Sequence, residues 1–348
     1  MKKTILLIGL IVVGIIVSFI VWWQLEKQSS GILSPLGSLR KISEPTAKPL
    51  EKYAFENLKK RGGKPSEIKL EKELSKGPAF TSYLFSYTSE DRKITGLVNI
   101  PNRGLKSASP KTKKEDKFPV IVMLRGYVDQ EIYQTGMGTR RAGEFYANHG
   151  FITLAPDFLG YGESDMPPNN VWEERFLRLT SVLDLLVSIR TLPQADPQKV
   201  CLWGHSNGGM IALSILEISD QNYPTSLWAP VSQFFPYDIL YYTYEFEDKG
   251  KALRRSLAEF EKDYDANKFS FDEYLEWIEA SFIIHQGTED KYIPLSWTND
   301  LVKKLKKLGK KVTYFTYPGV DHNFKSVFNK VVERDLEFYK KRLELKEK

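Results

Sequence analysis

The stretch "KVCLWGHSNGGMIAL", residues 199–213, sets a serine between glycines directly after an apolar run. Gly204 stands two residues before Ser206 and Gly208 two after it, the pattern G-x-S-x-G. "KVCLW" reads as a strand and 207–218 as a helix, so the serine falls at the corner between them. Such a corner forces the serine backbone into a strained conformation, and the flanking glycines relieve the crowding. The hydroxyl is then held out beside the free N–H groups of the helix start, which favour a developing negative charge. Ser206 is the candidate nucleophile.

Outward from this corner, strands and helices alternate. "FPVIVML" (118–124) is a continuous apolar run, typical of a strand buried on both faces. Further strands are expected at "FITLAPD" (151–157), "TSLWAP" (225–230), "SFIIHQG" (281–287) and "KVTYFTY" (311–317). Helices are expected over 137–149, 172–192, 296–308 and 324–343. Before them, "AFTSYLFSYTS" and "KITGLVNIP" form a hairpin closed near "EDRK", preceded by a short helix at 51–61. The alternation predicts an α/β domain with one mostly parallel sheet and helices on both faces. About fifty residues, 231–280, interrupt the rhythm and predict a helical cap insertion, with helices near 249–264 and 271–279. Its aromatic-rich start, "FFPYDILYYTYEFED", either lines a substrate pocket or packs the cap onto the body.

A serine hydroxyl needs a base, normally histidine, and the chain has four. His205 adjoins Ser206 on the turn and points away from it. His285 lies within a buried strand, and His149 ends a helix well before the nucleophile. His322, in "GVDHNF", falls in the loop after the last strand and is the expected base. The imidazole in turn needs an acid to fix its tautomer. Asp290, in "GTEDKYIP", is the best candidate, with Glu289 next; Asp321 adjoins His322 too closely to meet its ring edge. The order Ser206, Asp290, His322 is that of the α/β-hydrolases. The expected oxyanion donors are the backbone N–H groups of Asn207 and of Tyr127, in "RGYVDQ" (125–130). Asp157 and the glycines of "DFLGYGESD" (157–165) shape a loop.

Composition excludes several other classes. The single cysteine, Cys201, allows no intrachain disulfide, and no zinc or phosphate-loop spacing is present. The net charge is +6, and much of the basic excess sits in runs at 106–117, 303–311 and the C-terminal tail, which read as solvated surface and not as a nucleic-acid site. No metal or organic cofactor is expected. The uncharged run Ile5–Trp23, preceded by Lys2 and Lys3, matches the ~30 Å hydrocarbon core of a bilayer and ends in interfacial tryptophans. It predicts a single-pass N-terminal anchor over 1–24, a linker over 25–50 and a hydrolase domain over 51–348. The two lysines favour a cytoplasmic N-terminus and an extracytoplasmic domain. Lys27, Arg40 and Lys41 act against that asymmetry.

From about residue 79 to 345 the sequence resembles the α/β-hydrolases of the prolyl oligopeptidase and dienelactone hydrolase groups. "ITGLVNIP", "DFLGYGESD", "LPQADPQKVCLWGHSNGG", "GTEDKYIP" and "DHNF" carry the resemblance. It implies an α/β-hydrolase fold, with Ser206 as nucleophile, Asp290 as acid and His322 as base. It also implies serine hydrolysis of a small ester or a short peptide. Two departures stand out. The family has His-Gly where this chain has Arg125-Gly126, which leaves Arg125 either to contact a substrate carboxylate or to pair with Asp129 or Glu131. Fewer than sixty residues lie between the apolar run and the first predicted strand, so the family's β-propeller, and the peptide gating it provides, do not carry over. A non-catalytic binding protein on a hydrolase scaffold is the alternative in another class.

Overall fold

The computed structural model describes residues 48–102 and 117–345. The apolar run at 5–23 and the predicted linker up to residue 47 lie outside the described residues, among which no helix is long and apolar enough to cross a membrane. The compact unit begins at Lys48, three residues before the predicted boundary. Leu50 and Tyr53 are already buried in its core.

Nine strands form one sheet in the order β1-β2-β3-β5-β4-β6-β7-β8-β9. They are β1 (Lys69–Lys76), β2 (Phe80–Ser89), β3 (Arg92–Pro101), β4 (Phe118–Leu124), β5 (Ile152–Pro156), β6 (Ala195–His205), β7 (Thr225–Trp228), β8 (Phe282–Gly287) and β9 (Val312–Tyr317). The first three strands are antiparallel, and β3 pairs antiparallel with β5; from β5 through β9 all pairings are parallel. The predicted hairpin closes where Ser89 pairs with Arg92, with Glu90 and Asp91 both at positive φ. The reversal of order at β4 and β5 makes a switch point, and ligands of open parallel sheets bind at the carboxyl ends of strands beside such a point.

Alternating side chains along β4 feed two cores. Val120, Val122 and Leu124 join one and Ile121 and Met123 the other, as expected of a strand buried on both faces. The first core holds α1 (Phe55–Arg61), α3 (Val171–Ser188) and α4 (Asn207–Ile218), with α2 (Arg140–Asn148) and α8 (Phe328–Arg342) packed on the second. The insertion carries a short α5 (Tyr237–Leu240) and α6 (Lys251–Asp263), and α7 (Leu295–Lys307) follows β8. The helix expected over 271–279 is instead a chain of 3₁₀ turns, Ala266–Phe269, Phe271–Glu273 and Leu275–Trp277. Phe271, Leu275 and Ile278 are all buried in the first core. The last helix begins at Phe328, not 324, because Phe324 sits at φ 53°.

Candidate active site

Ser206 stands between the last residue of β6 and the first of α4, with φ 56° and ψ −122°. This conformation is costly for a residue with a Cβ, so its surroundings must fix it. They do so through β7 and the loop after it: Ser206 N–H donates to the Trp228 carbonyl at 2.9 Å, and Val231 N–H donates to the Ser206 carbonyl at 3.0 Å. The flanking glycines are steric necessities. A Cβ on Gly208 would lie 1.9 Å from the Leu124 carbonyl oxygen, and one on Gly204 would lie 2.5 Å from that of Gly208. Helix α4 can therefore start against β4 and aim its first N–H groups at the serine.

The other predicted partners meet at the same end of the sheet. His322, in the loop after β9, shares a 2.7 Å hydrogen bond between its Nδ1 and Asp290 Oδ2. Asp290, in the loop after β8, accepts the Tyr292 and Ile293 N–H groups on Oδ1, each at 2.9 Å, and the Gln286 amide on Oδ2 at 3.1 Å. Burial acts to raise the Asp290 pKa. The hydrogen bond and charge of His322 and the two N–H bonds outweigh it, holding the carboxyl below the ordinary carboxylate range. With Nδ1 engaged, Nε2 is the His322 nitrogen left to take a proton. Glu289 is exposed, and Asp321 accepts the Lys325 N–H rather than meeting the ring.

Of the expected oxyanion donors, Asn207 directly follows the serine in the chain and Tyr127 directly follows Gly126. Neither the Tyr127 nor the Asn207 N–H has an acceptor among the described residues. The loop of Tyr127 passes close to the serine: a Cβ on Gly126 would lie 3.0 Å from Ser206 Cβ and 3.6 Å from its Oγ. Arg125 pairs with neither Asp129 nor Glu131. Its buried guanidinium donates to the Gly126 and Asp157 carbonyls, each at 2.9 Å, and lies 4.1 Å from the Tyr161 ring centre and 4.6 Å from that of Tyr133. It is a post inside the loop. Asp157 shapes the same region, accepting the hydroxyls of Thr95, Tyr133 and Thr135.

The sequence left two surroundings unread. The aromatics of the insertion divide: Phe235 is buried against Trp172, Phe176 and Phe260, while Phe234, Tyr237 and Tyr241 are exposed. The packing use suggested by the sequence therefore occurs at Phe235. The exposed set runs through Tyr241 and Tyr242 to Tyr292, whose ring lies 5.2 Å from that of His322. On the other side, a cavity of about 20 Å³ lies beside Asn207, walled by Phe176, Met210, Phe235 and the buried Arg175–Asp238 ion pair. The His205 ring packs on that of His322, with centres 4.6 Å apart.

The prolyl oligopeptidase family model matches residues 139–346, so the chain belongs to that family. A Schizosaccharomyces pombe protein provisionally named a dipeptidyl aminopeptidase is 25% identical over 247 residues, 70% of this chain. The match spans only 28% of that relative's length. A Synechocystis protein provisionally named a carboxymethylenebutenolidase is 23% identical, with 66% of this chain and 86% of that protein aligned. Among solved structures, acetyl xylan esterase 1 from Thermoanaerobacterium covers 87% of the chain, and 95% of its own, at a TM-score of 0.59 and 15% identity. A Mycobacterium tuberculosis puromycin-hydrolyzing peptidase covers 77% of this chain with 40% of its own, at a TM-score of 0.60 and 16% identity. The fold is that of the α/β-hydrolases, as the sequence predicted.

Proposed function

We propose that the protein is a membrane-tethered serine hydrolase that cleaves an ester or peptide bond through an acyl-enzyme. One observation carries this: a strained serine at the β6–α4 corner shares its end of the sheet with a histidine whose Nδ1 is bonded to an aspartate. His322 Nε2 takes the Ser206 proton as Oγ attacks the carbonyl carbon, and Asp290 stabilises the imidazolium that results. The Asn207 and Tyr127 N–H groups bind the oxygen that gains charge. His322 then protonates the leaving group, and water, deprotonated by the same nitrogen, releases the acyl chain. No step calls for a metal or cofactor. The exposed aromatics from Phe234 to Tyr292 supply an apolar surface for the substrate. Relatives of both peptidase and esterase name fit this chemistry, and the insertion sets the choice between them. The tether rests on residues 5–23 of the sequence, and the extracytoplasmic side of the domain on Lys2 and Lys3.

Treatment with a fluorophosphonate probe, followed by assay on p-nitrophenyl acyl esters and on aminoacyl and prolyl anilides, tests the proposal. Labelling and turnover are expected in the wild type and absent in Ser206→Ala. A folded wild type that takes no label would make the chain a binding module on a hydrolase scaffold.

A further inference from the structure

The histidine preceding the nucleophile has no part in the steps above, yet it is built into the same corner. The His205 ring stands tilted by 38° against the His322 ring, with centres 4.6 Å apart. Its Nε2 lies 3.0 Å from the His322 carbonyl oxygen. A carbonyl only accepts, so Nε2 carries the proton and donates it. The loop bearing His322 is held elsewhere by Glu289 N–H to the Val320 carbonyl, at 3.0 Å, and by Gly319 N–H to Thr288 Oγ1, at 2.9 Å. Both of those bonds come from the β8 side. His205 supplies the contact from the β6 side, where Ser206 stands.

We propose that His205 is a positioning residue, which registers His322 against Ser206 by a hydrogen bond to the His322 main chain. The role rests on the hydrolase reading given above. The residue must also stay uncharged while its neighbour cycles through the imidazolium. Burial, reinforced by the adjacent His322, lowers its pKa to about 3. The carboxylates of Asp290 and Asp321 act in the opposite direction without reversing this. The His205 ring therefore serves as a fixed, uncharged donor.

Three substitutions separate this role from simple packing. Glutamine places an amide N–H near the position of histidine Nε2, asparagine only near that of Nδ1, and phenylalanine keeps the ring without a donor. In the full-length protein, His205→Phe and His205→Asn are each expected to lower kcat on a p-nitrophenyl ester by up to about tenfold, the worth of one hydrogen bond. KM should stay within about twofold, since no substrate contact is lost. His205→Gln is expected to keep kcat within about threefold of wild type. The acid limb of the kcat/KM profile should have a slope of one in wild type and in His205→Gln. Equal losses in the glutamine and phenylalanine variants would overturn the proposal, as would wild-type kcat in His205→Phe or an acid limb of slope two. A wild type that neither labels with fluorophosphonate nor turns over would overturn the hydrolase reading itself, and this role with it.

Discussion

At the scale of single residues, Asp290 is the acid whose loss can be read in two independent ways. Asp290→Asn keeps the shape but leaves His322 Nδ1 facing an amide, so the ring loses its oriented tautomer. A fall in kcat of roughly 10³–10⁴-fold is expected, with fluorophosphonate labelling slowed in parallel. The second reading is thermodynamic. The folded carboxyl titrates below its ordinary value, so its ionised form stabilises the native state. That contribution is fully present above the unfolded value of about 4 and is lost as pH falls through the lower folded pKa. In urea unfolding, the stability gap between wild type and Asp290→Asn should be constant above about pH 5 and narrow below about pH 4. Arg125 gives a second residue-scale test. Its guanidinium holds the Gly126 carbonyl and two tyrosine rings, so Arg125→Ala removes the post from the expected oxyanion loop. We expect kcat to fall roughly 10- to 100-fold with KM little changed, measured on the same esters. Lysine should not rescue it, because an ammonium cannot bond two carbonyls while lying flat between rings.

At the scale of elements, α1, the first α-helix among the described residues, behaves as part of the hydrolase body. Phe55 in α1 is buried and stacks on Tyr274 at 5.2 Å, so the helix straps the 3₁₀ turns of the insertion to the main core. Phe55→Ala should therefore lower stability by about 3–5 kcal/mol in urea unfolding. Lys59→Ala, which removes a half-buried cation lying over Trp277 together with its ion pair to the exposed Asp220, should cost under about 1 kcal/mol. Elements of this kind differ in how well the sequence announces them. The apolar runs of β4, β6 and β8 are legible because burial on both faces demands them, and Ser206, His322 and Asp290 follow from being at or just beyond strand ends. β1 carries no such signal: every residue of "KLEKELSK" is exposed, and it is a strand because β2 offers it a ladder. The 3₁₀ turns were hidden because Phe271, Leu275 and Ile278 are buried at helical spacing, so the pattern reads as a helix. The use of Arg125 was hidden for a different reason: its aromatic partners lie 8, 33 and 36 residues along the chain, at Tyr133, Phe158 and Tyr161. Sequence order gives no hint of that cage.

At the scale of the whole molecule, a buried carboxylate joins segments far apart in the chain. Asp335 of α8 accepts from Tyr146 of α2, Ser226 and Trp228 of β7, and His285 of β8, at 2.6–2.8 Å. His285 continues the network through Nδ1 to the Tyr317 hydroxyl, which also accepts from Arg334. The directions are consistent throughout: His285 donates from Nε2, so its Nδ1 accepts the Tyr317 proton. This explains why a histidine within a buried strand is not the base, for both of its nitrogens are committed on the α8 side of the sheet. It also makes a prediction about how the molecule holds together. Asp335→Ala strands four buried donors at once, and breaking such a buried network typically costs about 3–5 kcal/mol. For a domain of this size that should lower Tm by roughly 5–10 °C. Ser206 lies on the nucleophile corner and not in the network, so at 25 °C the variant that remains folded should label with fluorophosphonate at the wild-type rate. Slower labelling in that folded fraction, measured well below its Tm, would mean that the closing helix also governs the geometry of the site.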